Sequence, residues 1–330
     1  MISLIIPCFH ASENLHILAK DLINQDYSDF EVIFVNDGDS SQEKTLSEIL
    51  SLDSKFRVVN KTNGGPASAR NFGIDNAVGE WIVFADSDDR LSSHYLSSLY
   101  DVVKNNNVDI GIGGYYVSDL NRIEEIPLVT DSSLLKLENL LSIIENTTSH
   151  RAVWAKIYNT QLLKKNKLRF DERFNYAEDW LFNLNVFEHV KLIGCIKNCG
   201  YNYILNNKKG LIGSYFPNFI DINLICINQM SNIRKKIGRY ENDIAIDKNR
   251  ELSLMCFSYM KNLFCTRNSP SLSSSVSLIR KYILKNQHLL YALKVTKPHK
   301  KTDIIQKYII LTHNAWFIAI THKILYKIRH

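Results

Sequence analysis

Short β-branched and aromatic runs alternate with segments of helical apolar spacing through the first third of the chain, and that alternation confines it to few folds. Residues 3–8, 30–35, 56–60, 81–85 and 108–117 have the character of strands. Residues 12–25, 41–50, 66–77 and 92–104 have that of helices, the first with Ser12 as its N-cap. Strands separated by helices of this length predict an α/β fold whose mostly parallel sheet is covered on both faces. Residues 118–149 are polar and less regular, with a helix near 134–145. A short strand follows at 153–158, a helix at 178–189 and an aromatic strand at 201–205. Beyond Asn218 the pattern is helical, interrupted by a serine-rich loop over 269–277. The expected organisation is an α/β unit over 1–217, in halves 1–110 and 111–217, followed by a helical region over 218–330.

Each early strand ends in a polar cluster. The first is Pro7-Cys8-Phe9-His10, with Glu13 in the next helix; the second is Asn36-Asp37-Gly38-Asp39-Ser40. The third is a loop containing Asn63, Gly64 and Gly65 that opens a helix bearing Arg70. The fourth is Asp86-Ser87-Asp88-Asp89, directly after the apolar Trp81–Ala85. In open α/β sheets ligands collect at the carboxyl ends of the strands. Phe9 offers an apolar face for a base, Asp37 an acceptor for a ring N–H and Arg70 a cation near phosphate. Alternate residues of an extended segment point the same way, so Asp86 and Asp88 can converge on one ligand. Their mutual repulsion is best offset by a divalent cation that takes oxygen ligands, with Asp88 as the metal ligand. The alternative is an acidic turn in which Asp89 or Ser92 caps the next helix.

Other classes are excluded by what the chain lacks. A dinucleotide-binding dehydrogenase needs G-x-G-x-x-G at the first strand–helix turn, where this chain has Pro-Cys-Phe-His-Ala-Ser. An EF-hand fails because Leu91 stands where that loop needs glycine. Six scattered cysteines in 330 residues suggest reduced thiols in a cytosolic protein. The amino terminus has no basic n-region, and no apolar run approaches the roughly 18–20 residues needed to cross a bilayer.

The motifs Ser3-Leu4-Ile5-Ile6-Pro7-Cys8-Phe9, Glu31-Val32-Ile33-Phe34-Val35-Asn36-Asp37-Gly38, Asn63–Gly73 and Phe84-Ala85-Asp86-Ser87-Asp88-Asp89 together resemble the family-2 inverting glycosyltransferases of the GT-A fold. The resemblance covers residues 1–110 well and continues through Val153–Tyr158 and Phe170-Asp171-Glu172 to Tyr176–Phe182. None is found beyond about residue 215. It implies that Asp37 binds uracil with Pro7 and Phe9 beside the base, that Asp86 contacts ribose, and that Asp88 holds Mn²⁺ or Mg²⁺ on a nucleotide-sugar diphosphate. Glu13, Asn63, Arg70 and Ser87 complete the donor-side candidates. It further implies that in the pair Glu178-Asp179 the aspartate is the general base. Lys156 can reach the diphosphate or an acidic acceptor, unless it is simply a solvated lysine at a strand end. Uracil presents an N3–H that a carboxylate accepts, whereas cytosine presents a lone pair, so a UDP-sugar is favoured over a CMP-sugar, while the ring N–H donors of guanine leave a GDP-sugar open. Taken by itself, Glu178-Asp179 also fits acids favoured by a helix dipole. Departures from the family pattern are His10 for a usual Asn, Asp39 for a usual Ser, and the absence of Arg or His after Tyr201–Leu205.

The resemblance thus implies a metal-dependent inverting transfer from a nucleotide-sugar to a glycan or lipid-linked acceptor, in capsule, O-antigen or lipooligosaccharide synthesis. A catalytically silent nucleotide-sugar-binding scaffold at the membrane is the alternative. Charge adds a separate constraint. Residues 1–219 carry 21 Lys and Arg against 28 Asp and Glu, whereas residues 220–330 carry 19 against 6. A basic region on an acidic body implies an anionic surface as partner. Nucleic acid is disfavoured because no DNA- or RNA-binding signature accompanies the basic residues. Over 308–325 the apolar residues recur near helical spacing among lysines, which fits either a helix lying on the cytoplasmic face of a membrane or one docked on the catalytic unit.

Overall fold

The computed structural model describes residues 1–104, 108–119, 122–144, 151–205, 214–265, 267–298 and 300–329. The side chains of residues 12, 13, 144 and 327–329 lie outside the description, and with them Glu13 as a donor-side candidate. The chain divides into two compact units, Met1–Asn206 and Asn207–His330, where the sequence pattern suggested a boundary at 217/218.

The first unit begins with β1 (Ile2–Cys8), α1 (Ser12–Ile23), β2 (Phe30–Asp37), a 3₁₀ turn (Ser40–Gln42), α2 (Glu43–Leu50), β3 (Phe56–Lys61), α3 (Gly65–Asn76) and β4 (Trp81–Phe84). After these come β5 (Arg90–Leu91), α4 (Tyr95–Val103), β6 (Ile110–Gly113), β7 (Tyr115–Ser118), β8 (Ile123–Ile126), β9 (Ser133–Lys136) and α5 (Leu137–Ile144). The unit closes with β10 (Lys156–Asn159), α6 (Thr160–Lys165), α7 (Glu178–Phe187), β11 (Leu192–Ile196) and β12 (Tyr201–Ile204). The main sheet has the order β3-β2-β1-β4-β10-β6-β11-β9, and a smaller one the order β5-β12-β7-β8. In the main sheet β10 and β9 run against the other strands. Strands buried on both faces explain the nearly unbroken apolar runs of β1, β2 and β4.

Leu4 and Ile6 of β1 pack with Leu15, Leu18 and Leu22 of α1 in one core. The register alternates, so Ile5 faces the other way, towards α3. A Cβ on Gly73 would come within 2.3 Å of Ile5 Cγ2, so glycine is what lets α3 lie this close to β1. That close approach sets the height of Arg70, one turn earlier on the same helix.

Several local expectations are corrected. Ser12 is the first residue of α1, and the N-cap position belongs to Ala11, whose amide is held by Gln42 Oε1 at 3.2 Å. The segment 108–117 is two strands in two different sheets, β6 and β7, divided at Gly114. A side chain at Gly114 would meet the Lys197 carbonyl at 2.1 Å, so the crossing between sheets requires glycine. Residues 134–136, expected at the start of a helix, belong to β9, which pairs with β11 before α5 begins. Neither Asp89 nor Ser92 caps α4, whose N-cap position is His94.

The second unit is helical: α8 (Phe219–Lys236), α9 (Glu241–Leu263), α10 (Leu272–Ile279) with a π-helical turn (Arg280–Leu284), α11 (Gln287–Val295), α12 (Lys301–Ile310) and α13 (Ala315–Arg329). Much of the serine-rich stretch expected as a loop is the start of α10, capped by Ser271 accepting from the Ser274 amide. Fully buried Arg234 of α8 is held by Glu251 of α9 at 2.6 Å, so its charge is matched where water is excluded. The continuous helix expected over 308–325 is broken: α12 ends at Ile310, His313 takes a left-handed backbone, and Asn314 Oδ1 accepts from the Phe317 amide at the start of α13. Among the described residues no helix is long and apolar enough to cross a membrane. All six cysteines are buried as thiols outside any disulfide.

Candidate active site at the sheet edge

The carboxyl ends of β1, β2 and β4 lie side by side, with Pro7 paired to Val35 and Ile5 to Phe84. Their polar ends therefore collect on one edge. Phe9 emerges just beyond β1 with half its surface exposed, its ring 4.1 Å from that of His10. Asp37, at the end of β2, is buried and accepts from Lys61 Nζ at 2.7 Å and from the amides of Gly64 and Gly65 at 3.0 and 2.7 Å. The Asn63 amide group donates to the Asp37 carbonyl at 3.0 Å. The amino end of α3 is thus fastened to the carboxylate that the sequence marks for uracil.

His10 and Asp39, two separate departures from the family pattern, meet in space. Asp39 Oδ2 accepts from the His10 amide at 2.9 Å and lies 2.9 Å from its ring Nδ1. Hydrogen bonds from Ser41, outweighing burial, hold the Asp39 carboxyl below its usual range, so it remains an anion beside the histidine. One replacement accompanies the other, and His10 is kept in a left-handed backbone conformation.

Arg70 organises the centre. Its Nη2 donates to Asp86 Oδ1 at 2.9 Å, and its Nη1 to Asp179 Oδ1 at 2.8 Å and Glu178 Oε1 at 3.2 Å. One buried guanidinium, 5.5 Å from the Phe170 ring centroid, therefore joins the end of β4 to the amino end of α7. This corrects the reading of Arg70 as a phosphate contact: the fork that would hold phosphate is taken up by three carboxylates. Ala177, at the N-cap of α7, has a left-handed φ of 56°, a conformation that costs energy in an alanine. Burial pushes the Asp179 carboxyl well up, and this outweighs the opposing pull of Arg70; Glu178 and Asp86 add to the rise. A carboxylate held up in this way is a stronger base when ionised.

The three acids after β4 part company. Asp86 is half-buried on Arg70, with its amide donating to the Tyr201 hydroxyl at 3.2 Å. Ser87 lies beside it, partly exposed, and Asp88 is exposed. Desolvation and then Asp86 raise the Asp88 carboxyl. Asp89 is buried, accepting from the Tyr201 hydroxyl and from the Ile204 amide at 2.8 Å, so it fastens β12 beneath the site. Tyr201 is a residue that motif reading missed. The only signal was an aromatic strand, and its ring stacks on Trp154 at 4.7 Å.

Lys156 is also corrected. Because β10 runs backwards, its first residue lies at the edge where β4 ends, with Ile157 opposite Val83. The side chain turns inward, however: Lys156 is buried and Nζ donates to the Ala152 carbonyl at 2.6 Å. Burial pushes its pKa down to about 7 against the pull of Cys199 and Asp179. A lysine whose folded value lies below its ordinary 10.5 contributes stability that is full above that value and is lost as pH falls towards about 7. Thermal unfolding followed across this window should be more pH-dependent in the wild type than in Lys156→Met. Parallel profiles would mean that the ammonium is solvated. The buried Asn71 side chain ties α3 to the segment before α7, bonding Glu172 and both the carbonyl and the amide of Phe170.

The metal assignment can be tested against these residues. Among those described, no three or more His, Cys, Asp or Glu side chains gather into a metal-holding group. What is present is an exposed carboxylate whose charge is disfavoured by Asp86 beside it. A cation arriving with a diphosphate needs only one or two protein carboxylates, the remaining positions being phosphate and water. The residues fit that kind of site, and do not fit a metal cage built by the protein alone.

Sheet order, with polar residues gathered at the ends of β1, β2 and β4, defines a GT-A-type fold. The sequence model of glycosyl transferase family 2 matches residues 3–181, and the chain belongs to that family. It is 33% identical over 201 residues to the uncharacterized glycosyltransferase EpsJ of Bacillus subtilis, a match covering 58% of each chain. It is 28% identical over 210 residues to the poly(ribitol-phosphate) beta-N-acetylglucosaminyltransferase TarP of Staphylococcus aureus, covering 62% of this chain and 63% of TarP. The matches thus span about three fifths of these curated relatives. Residues 1–349 of S. aureus TarS in complex with UDP superpose with a TM-score of 0.69 at 20% identity, covering 100% of this chain and 92% of that one. The TarS complex with UDP-GlcNAc gives a TM-score of 0.68 at 19% identity.

Proposed function

We propose that this chain transfers a sugar from a nucleotide-sugar, a UDP-sugar, to a hydroxyl of a glycan or lipid-linked saccharide, with inversion by a single displacement. One observation carries the reading: the Arg70 guanidinium spans from Asp86 on the donor side to Asp179 at the start of α7, so both carboxylates face one site. The TarS complexes with UDP and UDP-GlcNAc, on the same fold, support a uridine donor. TarP, whose acceptor is named as poly(ribitol-phosphate), supports a surface-polymer acceptor and leaves capsule, O-antigen and lipooligosaccharide as narrower versions of it.

In this mechanism Phe9 and Pro7 flank the base and Asp37 accepts from its ring N–H, while Asn63 and the α3 loop hold Asp37 in place. Asp86 takes the ribose, anchored by Arg70. Asp88, with Asp86 beside it, would hold Mn²⁺ or Mg²⁺, which when bound supplies Lewis-acid neutralisation of the departing diphosphate. Asp179 accepts the proton of the acceptor hydroxyl as it attacks the anomeric carbon. Glu178 shares Arg70 with Asp179 and fixes its direction. No acid for the leaving group is required, because a diphosphate leaves as a stable anion.

Asp88→Ala tests the donor side. UDP with Mn²⁺ should raise the melting temperature of the wild type more than UDP alone, as expected for ligands that bind only the folded state. The variant should lose that increment and keep the response to UDP alone. An unchanged increment would remove Asp88 from the metal assignment.

A further inference from the structure

Helix α13 has two apolar faces, and only one of them is used. It packs on α10 and buries Ala315, Ile318, Ala319 and His322. Trp316, Phe317, Ile320 and Ile324 point to the opposite side and are 45%, 49%, 45% and 52% exposed. Their spacing of one, four and eight residues from Trp316 puts them in a single stripe on the helix. A second apolar row, with Ile305 54% and Tyr308 67% exposed, lies on neighbouring α12. A scatter of single apolar residues on a surface is ordinary, whereas a continuous aromatic and aliphatic stripe marks an interaction site.

The charge carried on and just before these two helices says what covers it. Lys297, Lys300, Lys301 and Lys323 are exposed. Beyond Glu251 the only acid in the chain is Asp303, so this end sets a single carboxylate against these four lysines. A second copy of the chain would bring the same lysines to the same face and repel it. An anionic bilayer satisfies both features, since apolar side chains enter the acyl boundary while lysines stay among the headgroups.

We infer that α12 and α13 form a docking surface for an anionic membrane, with Trp316 and Phe317 inserted and the lysines at the headgroup level. The two roles that a terminal amphipathic helix can play, packing on its own protein and lying on a bilayer, are divided here between opposite faces of α13. The inference is independent of the sugar chemistry, and its test contains no nucleotide-sugar, so the two readings fail separately.

The full chain is floated with vesicles of phosphatidylcholine alone and of phosphatidylcholine with 30 mol% phosphatidylglycerol, a probe fraction on the order of that in anionic leaflets. The wild type should float with the anionic vesicles only, and half-molar salt should weaken the association. Trp316→Ser/Phe317→Ser and, separately, Lys297, Lys300, Lys301 and Lys323→Gln should each lower the partition coefficient roughly ten-fold or more. Trp81, Trp154 and Trp180 are buried, so the emission shift on adding vesicles reports Trp316 in the unaltered chain, whatever the variants do to folding. A blue shift with anionic vesicles supports the surface. No shift and no flotation, equal flotation of wild type and both variants, or a wild-type dimer that Trp316→Ser/Phe317→Ser converts to monomer would each overturn it.

Discussion

Asp179→Asn should retain UDP binding and lose sugar transfer by roughly 10²–10⁴-fold, the range a positioned general base contributes. The amide keeps the size of the side chain and one oxygen for Arg70 Nη1, so the donor side at Asp37 and Asp86 is left intact. What it loses is the ability to accept a proton. The wild type carries a second signature of the same role. Burial holds the Asp179 carboxyl well above its ordinary 3.8, so kcat/KM should rise with pH along a limb placed above the usual carboxylate range. The limb should vanish from the residual activity of the variant. Wild-type turnover in Asp179→Asn, measured with UDP release and product formation together, would remove Asp179 as the base.

Arg70→Met should be the most destabilising single change in the site. It removes the cation from three carboxylates in a buried position, and breaking a buried pair by deleting one partner costs about 3–5 kcal/mol. For a unit of this size each kcal/mol lowers the melting temperature by roughly 2–4 °C, so a fall on the order of 10 °C is expected at neutral pH. The sign of the pH effect follows from the stranded acids. Once Arg70 is gone, protonating them relieves their repulsion, so the variant should recover part of the deficit as pH falls from 7 towards 5. A purely steric loss would leave the deficit constant. Arg70→Lys should recover some stability but little activity, because an ammonium cannot hold Asp86 and Asp179 from two sides of a planar fork. Differential scanning calorimetry across pH checks both variants.

The parts of the fold visible in the sequence are those where local pattern and tertiary position agree. Apolar runs ending in Asp37 or Asp86 announced strands with a ligand edge, because a central parallel strand buries both faces and only its end can be polar. What could not be seen depends on which way a chain turns after that edge. Asp88 and Asp89 are chemically identical neighbours, yet one is exposed and the other is clamped by Tyr201 from a strand over a hundred residues away. Lys156 has the position expected of a site lysine and the opposite orientation, since nothing local records that β10 runs backwards and turns it inward. Arg70 was visible only as a cation for phosphate, because its three carboxylate partners come from the end of β4 and the start of α7, which only the folded sheet brings together. The break between α12 and α13 escaped because apolar spacing continues across His313 while the backbone does not. His10 and Asp39 were each legible as a departure from pattern, and their pairing was not.

The most direct test of the account is a crystal structure of the chain with UDP-GlcNAc and Mn²⁺. Uracil should lie between Phe9 and Asp37, the cation should touch Asp88, and the anomeric carbon should present to Asp179 the face opposite its bond to the diphosphate. A nucleotide seated away from the ends of β1, β2 and β4, or a sugar whose leaving diphosphate lies on the same side as Asp179, would contradict it.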